Sequence, residues 1–137
     1  MSTQRPPQDP ESHPRVKAVF DDMRATRQTD FINSFWRTLA FDPDLLERTW
    51  HEVKQVMAKP SLLDPVTKEM IFIAVSVANA CTFCVHSHTA AAKAKGMTDA
   101  QHGELLAVIA MAAQTNALAT ALQVPVDARF LAEEGTG

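Results

Sequence analysis

The sequence has no excess of positive charge and no long apolar run, and each absence excludes a class of partner. Lysine and arginine number 13 against 16 aspartate and glutamate residues, which gives a net charge of −3. Nucleic acids and anionic membrane surfaces both favour clustered positive charge, so neither is expected as a partner. The strongest apolar run is the twelve-residue stretch from Met70 to Cys81. A membrane-spanning helix needs about 20 such residues, so this run predicts a core helix.

The first residues also lack the basic and then apolar order of a secretory signal. Residues 1–14 instead hold four of the eight prolines and almost no apolar side chains. This composition predicts a disordered or loosely packed tail, followed by a single domain over residues 15–137. We expect the chain to be cytoplasmic. In that reducing compartment, its two cysteines are more often catalytic or metal-binding than a structural disulfide.

No segment shows the sustained alternation of a β-strand, whereas several show helical periodicity. Two Asp-Pro pairs, Asp42-Pro43 and Asp64-Pro65, combine an N-cap with a proline at the first helical position. They predict helices that run to about Met57 and over residues 66–80. Asp30 is the predicted cap of an earlier helix. The predicted fold class is therefore all-α.

Two of the predicted helices are apolar over most of their surface. The helix at residues 66–80 has almost no polar face, which indicates burial on every side, within the chain or by partner subunits. Thr98 caps a last long helix, whose Ala-rich part spans residues 105–122. Together they offer more apolar surface than five or six short helices can cover. We therefore expect a homo-oligomer.

Three reactive side chains lie on one predicted helix, namely Cys81, Cys84 and His88. At 100° per residue, Cys84 lies about 60° from Cys81 around the axis, and His88 falls roughly between them. Asn79 is the predicted N-cap, so Cys81 would lie in the first turn, where the helix dipole favours a thiolate. The second sulfur of a CxxC pair can close a disulfide after the first is oxidised, which limits over-oxidation.

A carboxylate, Glu69, lies on the preceding apolar helix, with eleven residues between it and Cys81. Packed among apolar side chains it would be desolvated, so its pKa is expected to be raised and it could exchange protons near neutral pH. Each residue taken singly also has an ordinary explanation. A lone CxxC can be coincidence or half a metal site, His88 a helix histidine, and Glu69 a surface residue of a first turn.

The joint spacing resembles the motif of the AhpD-like alkylhydroperoxidases, within the carboxymuconolactone decarboxylase superfamily. That motif is a glutamate, eleven residues, a cysteine, two residues, a second cysteine, three residues and a histidine, here Glu69, Cys81, Cys84 and His88. The run from Cys84 to Thr89 and the helix end at Gly96 are also similar to the family. The resemblance is strongest from Leu63 to Met111.

The resemblance implies a compact AhpD-like bundle of about six helices that reduces organic hydroperoxides with electrons from a thiol or dithiol reductant. By the same resemblance, Cys84 is the thiol that becomes a sulfenic acid, and Cys81 is its proton donor and resolving thiol. His88 is a proton relay, and Glu69 is the general base of that relay. Neither a cofactor nor a metal ion is expected, and the assembly is a homo-trimer or homo-hexamer.

Two departures from the family favour a general thiol peroxidase or disulfide reductase over a dedicated partner of one peroxiredoxin. Phe83 stands where the best-known AhpD proteins have histidine, and the chain is shorter than those two-halved proteins. Two other hypotheses stay open. One is a metal site with the four motif residues as ligands. The other is a non-redox relative, decarboxylase-like or an oligomeric binding protein, with a pocket lined by Trp36, Trp50 and Phe83. Decarboxylases of the superfamily typically lack the cysteine pair.

Overall fold

The computed structural model describes residues 2–132, which fold into six α-helices without a strand. The helices are α1 (Pro14–Arg27), α2 (Ser34–Leu39), α3 (Pro43–Val53), α4 (Pro65–Ala78), α5 (Thr82–Ala94) and α6 (Asp99–Leu122). Short 3₁₀ helices cover Pro10–Ser12 and Ala128–Phe130, and a π-helical turn covers Lys54–Ala58. The predicted all-α class is confirmed.

The chain divides into two compact units, Met1–Pro65 and Val66–Gly137. The first unit holds α1 to α3 and the second holds α4 to α6. A compact unit is defined by its internal packing and need not fold alone. The single domain expected over residues 15–137 therefore stays a prediction.

The first unit is built around one apolar core. Its two tryptophans pack edge to face, with the ring centroids of Trp36 and Trp50 5.8 Å apart. The indole N–H of Trp50 donates to Asp22 Oδ2 at 2.7 Å, so the polar edge of this buried ring is satisfied. The buried residues of this core are Val16, Val19, Phe20, Met23, Ile32, Trp36, Ala40, Leu46 and Trp50.

Helix starts in the first unit follow their local capping residues. Asp42 caps α3 as predicted, since its side chain accepts from the backbone N–H of Leu45 at 3.1 Å. The helix was expected to reach about Met57, and its last turn is the π-helical one at Lys54–Ala58. The predicted cap at Asp30 is wrong. Asn33 caps α2 instead, because its side-chain oxygen accepts from the N–H of Trp36.

The expected loose tail is ordered at its C-terminal end. Pro10–Ser12 forms a 3₁₀ helix in which Pro10 is buried. Glu11 pairs with Arg24 of α1 at 2.6 Å, so an apolar ring and an ion pair both tie this segment to the helix that follows. Met1, the first residue of that predicted tail, lies outside the described residues.

The second unit has a smaller apolar core. Its buried apolar residues are Ile73, Ala92 and Met97, with Val66, Met70, Leu105 and Ile109 packed against them. Residues 2–132 do not bury α4 on every side, since Ile71 and Val75 are 49% and 52% exposed. The outer face of α4 therefore leaves apolar surface in contact with solvent.

Helix α6 has the predicted start and an unexpected exposure. Thr98 and Gln101 form a capping box, each side chain accepting from the backbone N–H of the other. No residue of α6 is buried. The large apolar side chains that it exposes include Leu106, Val108, Met111, Leu118 and Leu122. Within residues 2–132, α6 alone is long and apolar enough to cross a membrane, with a mean hydropathy of 1.7. A core helix of a soluble protein can meet the same criterion.

Candidate active site

The two thiols lie at the N-terminus of α5. Cys81 itself is the N-cap, and its Sγ accepts from the backbone N–H of Cys84 at 3.4 Å. The predicted cap at Asn79 is wrong, because Asn79 ends α4 by donating its N–H to Val75. The chain then turns through Ala80 in the left-handed conformation, with φ of 54°. This turn places the first cysteine, rather than the asparagine, over the free N–H groups of α5.

The two thiols have opposite pKa shifts. The pKa of Cys81 is lowered, first because the Cys84 thiol donates to its sulfur and second because the Cys84 backbone N–H does so too. Burial, helped by the hydrogen bond to Cys81 and the charge of that residue, raises the pKa of Cys84 to about 11. Both cysteines are free thiols. Cys81 is therefore the more acidic thiol of the resting pair, and Cys84 keeps its proton unless a base removes it.

Glu69 is buried in the second unit, with 3% of its surface exposed. One carboxylate oxygen, Oε2, lies 2.7 Å from Nδ1 of His88. The other, Oε1, accepts from Nζ of Lys95 at 2.6 Å. The alternative of a surface glutamate in a first turn is wrong, since both oxygens of this buried carboxylate have a partner from α5 or its C-cap.

The pKa of Glu69 is lowered, so the expected rise is wrong. Burial does push the pKa upward and is the largest single influence. The hydrogen bonds from His88 and Lys95 and the charges of these two groups together outweigh it. Glu69 is therefore an ionised carboxylate at neutral pH. Its partner Lys95 is absent from the predicted site residues.

A sequence signal for Lys95 does exist. It follows His88 by seven residues, which is two helical turns, and so lies on the same face of α5. What the sequence does not reveal is that α4 presents Glu69 to that face. The contact across the two helices depends on their packing, and no spacing within α5 alone predicts it.

The imidazole of His88 is contacted at its Nδ1 edge by Glu69 and on its ring face by Phe72. The Phe72 ring stacks on it with centroids 3.6 Å apart and an interplanar angle of 17°. Phe72 follows Glu69 by three residues, so both contacts come from one face of α4. The two contacts restrict the ring's rotation, so the imidazole orientation is fixed by α4.

The structure brings the predicted site residues together as two pairs on one unit. Cys81 contacts Cys84, and Glu69 contacts His88. Cys84 and His88 are four residues apart on α5, so they are neighbours on its surface. Within residues 2–132, no group of three or more His, Cys, Asp or Glu side chains could hold a metal ion. Of the three suggested pocket residues, Trp36 and Trp50 belong to the core of the first unit and Phe83 is exposed on α5.

Comparison with known proteins extends the similarity over nearly the whole chain. The profile of the carboxymuconolactone decarboxylase family matches residues 43–127. The crystal structure of the alkylhydroperoxidase AhpD core from Rhodospirillum rubrum matches with a TM-score of 0.94 at 61% sequence identity. That match covers 97% of this chain and 99% of the other. No curated protein matches the chain significantly.

Proposed function

This chain belongs to the carboxymuconolactone decarboxylase family and has an AhpD-like all-α fold, and from this premise we propose that it is a thiol-dependent peroxidase or disulfide oxidoreductase. Its substrates are organic hydroperoxides, and its electrons come from a thiol or dithiol reductant. One observation carries the proposal. A hydrogen-bonded CxxC thiol pair lies on the same helix as a histidine held by a buried carboxylate.

We assign the first step to Cys84 and the proton relay. His88 takes the thiol proton of Cys84, which leaves Cys84 as a thiolate and Cys81 as a thiol. The raised pKa of Cys84 is the reason that this thiol needs a base. Glu69 stays ionised, orients the imidazole and stabilises the imidazolium that forms.

Oxidation follows by attack of the Cys84 thiolate on the terminal oxygen of the hydroperoxide. The O–O bond breaks, a Cys84 sulfenic acid forms, and the departing alkoxide takes the proton of Cys81 to leave as an alcohol. The resting contact, in which the Cys84 thiol donates to the Cys81 sulfur, supports a role for both residues because it places a second thiol beside the nucleophile. Cys81 is then the thiolate, the form that its N-cap position stabilises.

Resolution uses the same two residues in exchanged roles. The Cys81 thiolate attacks the sulfur of the Cys84 sulfenic acid, an S–S bond forms, and the hydroxide that leaves takes the proton from His88 to become water. The sum is two thiols and one hydroperoxide giving a disulfide, an alcohol and water. An external dithiol then reduces the disulfide and restores the pair.

The test is a peroxide-consumption assay with cumene hydroperoxide and three reductants, a thioredoxin-type protein, dihydrolipoamide and a small dithiol. We expect two free thiols in the reduced protein and none after mild peroxide. Cys84→Ser abolishes the reaction, whereas Cys81→Ser retains one slow oxidation that stalls at sulfenic acid or beyond. Two free thiols that persist under excess peroxide would contradict the proposal and favour a non-redox member of the family.

We also propose that the active form is a homo-trimer or homo-hexamer located in the cytoplasm, without nucleic acid or membrane partners. The exposed apolar side chains of α4 and α6 support an assembly in which they pack between copies, among them Ile71, Val75, Leu118 and Leu122. Light scattering at micromolar concentration should give three or six times the chain mass. A mass of one chain would contradict this assembly.

A further inference from the structure

The buried carboxylate of Glu69 has a second cationic partner, which the reaction proposed above leaves unused. Lys95 is the C-cap residue of α5, and its Nζ donates to Oε1 of Glu69 at 2.6 Å. The Lys95 side chain is 38% exposed, so its stem reaches inward from the surface to a carboxylate that solvent does not reach. The ammonium group thus supplies a buried anion with a lasting positive charge.

The state of Glu69 decides what His88 can do. An ammonium group has three donors and no acceptor, so its oxygen partner is held as an ionised acceptor. The second carboxylate oxygen, 2.7 Å from Nδ1 of His88, can then only accept, and the neutral tautomer that donates from Nδ1 is the one that leaves Nε2 as an acceptor. Without Lys95, the imidazole would be the sole counter-charge of a desolvated carboxylate, and a proton would be retained between the two groups.

We propose that Lys95 is a positioning residue that holds Glu69 ionised, so that Glu69 fixes the Nδ1–H tautomer of His88 and leaves Nε2 able to take a thiol proton. The inference rests on the function proposed above and extends it to a residue outside the CxxC motif. The charged groups that act on Glu69 are His88 and Lys95. Helix α6 adds the apolar side chains of Leu105 and Ile109 to the adjoining core.

The chain offers a matched control two residues away. Lys93 also lies in the last turn of α5, but its Nζ pairs with Asp99 at 3.1 Å. Lys93→Met removes one positive charge from the same helix end without touching Glu69. Lys95→Arg keeps the charge, and Lys95→Gln keeps a polar end without the charge. Both Lys95→Gln and Lys95→Met remove the charge, so if one variant fails to fold, the other still tests the proposal.

The first measurement is independent of catalysis. In ¹⁵N spectra of the histidine-labelled protein, His88 of the wild type should show a protonated Nδ1 and an unprotonated Nε2 at neutral pH. Lys95→Met and Lys95→Gln should lose this pattern, and Lys95→Arg and Lys93→Met should keep it. An unchanged His88 pattern in both neutral variants would overturn the proposal, whether or not the protein reduces peroxides.

The second measurement is the pH profile of thiol oxidation by cumene hydroperoxide. Loss of Lys95 removes two influences that lower the pKa of Glu69, so the fall in rate on the acid side should move to higher pH. The rate at neutral pH should fall about 10- to 100-fold, the usual effect of losing a partner behind a catalytic group. In a Glu69→Gln background, Lys95→Met should add nothing further.

The outcomes separate the two proposals. A wild type without peroxide reactivity would overturn the proposed function, while the ¹⁵N spectra would still test the action of Lys95. A reactive wild type with additive effects of Lys95→Met and Glu69→Gln would overturn the positioning role alone, since Lys95 would then not act through the carboxylate.

Discussion

The two units of this chain handle their apolar residues in opposite ways. The first unit buries nine apolar side chains, including both tryptophans of the sequence, around a single core. Among residues 66–132 the second buries three, Ile73, Ala92 and Met97. Ile73 is the one buried apolar residue of α4, and α6 has none. The thiols, the carboxylate and the histidine of the candidate site are all on the second unit.

The larger apolar core is therefore in one unit and the candidate site in the other. A packed apolar core can supply most of the stability of a small unit. The second unit instead uses part of its interior for Glu69, whose burial is favourable only while His88 and Lys95 accompany it. Its exposed apolar faces suit contacts with other copies of the chain.

The largest expected effect concerns the relay in the second unit. Glu69→Gln keeps the shape of the side chain but removes the ionised acceptor, so the rate of Cys84 oxidation should fall by about 10² to 10⁴. His88→Gln should produce a similar loss, and the double variant should cost little more, because the two groups act as one unit. Stopped-flow peroxide reactivity measures the rate, and circular dichroism checks the fold. A normally folded Glu69→Gln that reacts at the wild-type rate would show Glu69 to be structural.

The next effect contrasts the two cores. Phe20→Ala empties a fully buried site of the first unit and should lower the free energy of unfolding by about 3–5 kcal/mol. Ile73→Val removes one methylene from the second unit and should cost about 0.5–1.5 kcal/mol. Tryptophan fluorescence reports on the first unit alone, whereas circular dichroism follows the helices of both. If the units unfold separately in urea, Ile73→Val should leave the fluorescence transition unchanged.

The smallest effect is a difference in acid stability. The lowered pKa of Glu69 means that its ionised form stabilises the fold above its ordinary value of 4.5, and that this contribution is lost as the pH falls through the lowered value. Glu69→Gln should therefore lose less stability than the wild type below pH 4.5. The pKa of Asp22 is lowered by its bonds to Trp50 and Lys54, so Asp22→Asn is the matched variant of the first unit. Its effect should be smaller, since Asp22 is far more exposed than Glu69. Acid unfolding curves of equal steepness in all three proteins would contradict this order.

Local capping signals predicted the starts of α3 and α6, because a cap and its target N–H are close in the sequence. Asp42 and Thr98 cap α3 and α6 as predicted. The predicted caps Asp30 and Asn79 are wrong for the same reason, because a residue closer to the helix start is the N-cap in each case. Asn33 does so before α2 and Cys81 does so before α5. Several polar residues near a helix start can each serve as its cap, and the backbone path chooses among them.

The site shows a similar division between what spacing within one helix predicts and what helix packing adds. The spacing of Cys81, Cys84 and His88 places them on one stripe of α5. The pairing of Glu69 with His88 was expected from the family resemblance, and the 2.7 Å contact agrees with it. The direction of the Glu69 pKa shift is not predictable from spacing, since it depends on His88 and Lys95 together outweighing burial, and Lys95 reaches the carboxylate from the far end of α5.

The position of Cys81 links the oxidation state of the pair to the folding of α5. In the reduced protein its sulfur accepts the first N–H bond of the helix, and a thiolate is the better acceptor. In the proposed cycle the Cys81 sulfur passes from a thiolate into a disulfide that carries no charge, so the helix start loses its better acceptor at each turnover. By thermodynamic linkage, any change that stabilises the first turn of α5 through this bond must favour the dithiol over the disulfide. The same turn of helix is thus a structural element and, in the proposed function, a thermodynamic part of the redox couple.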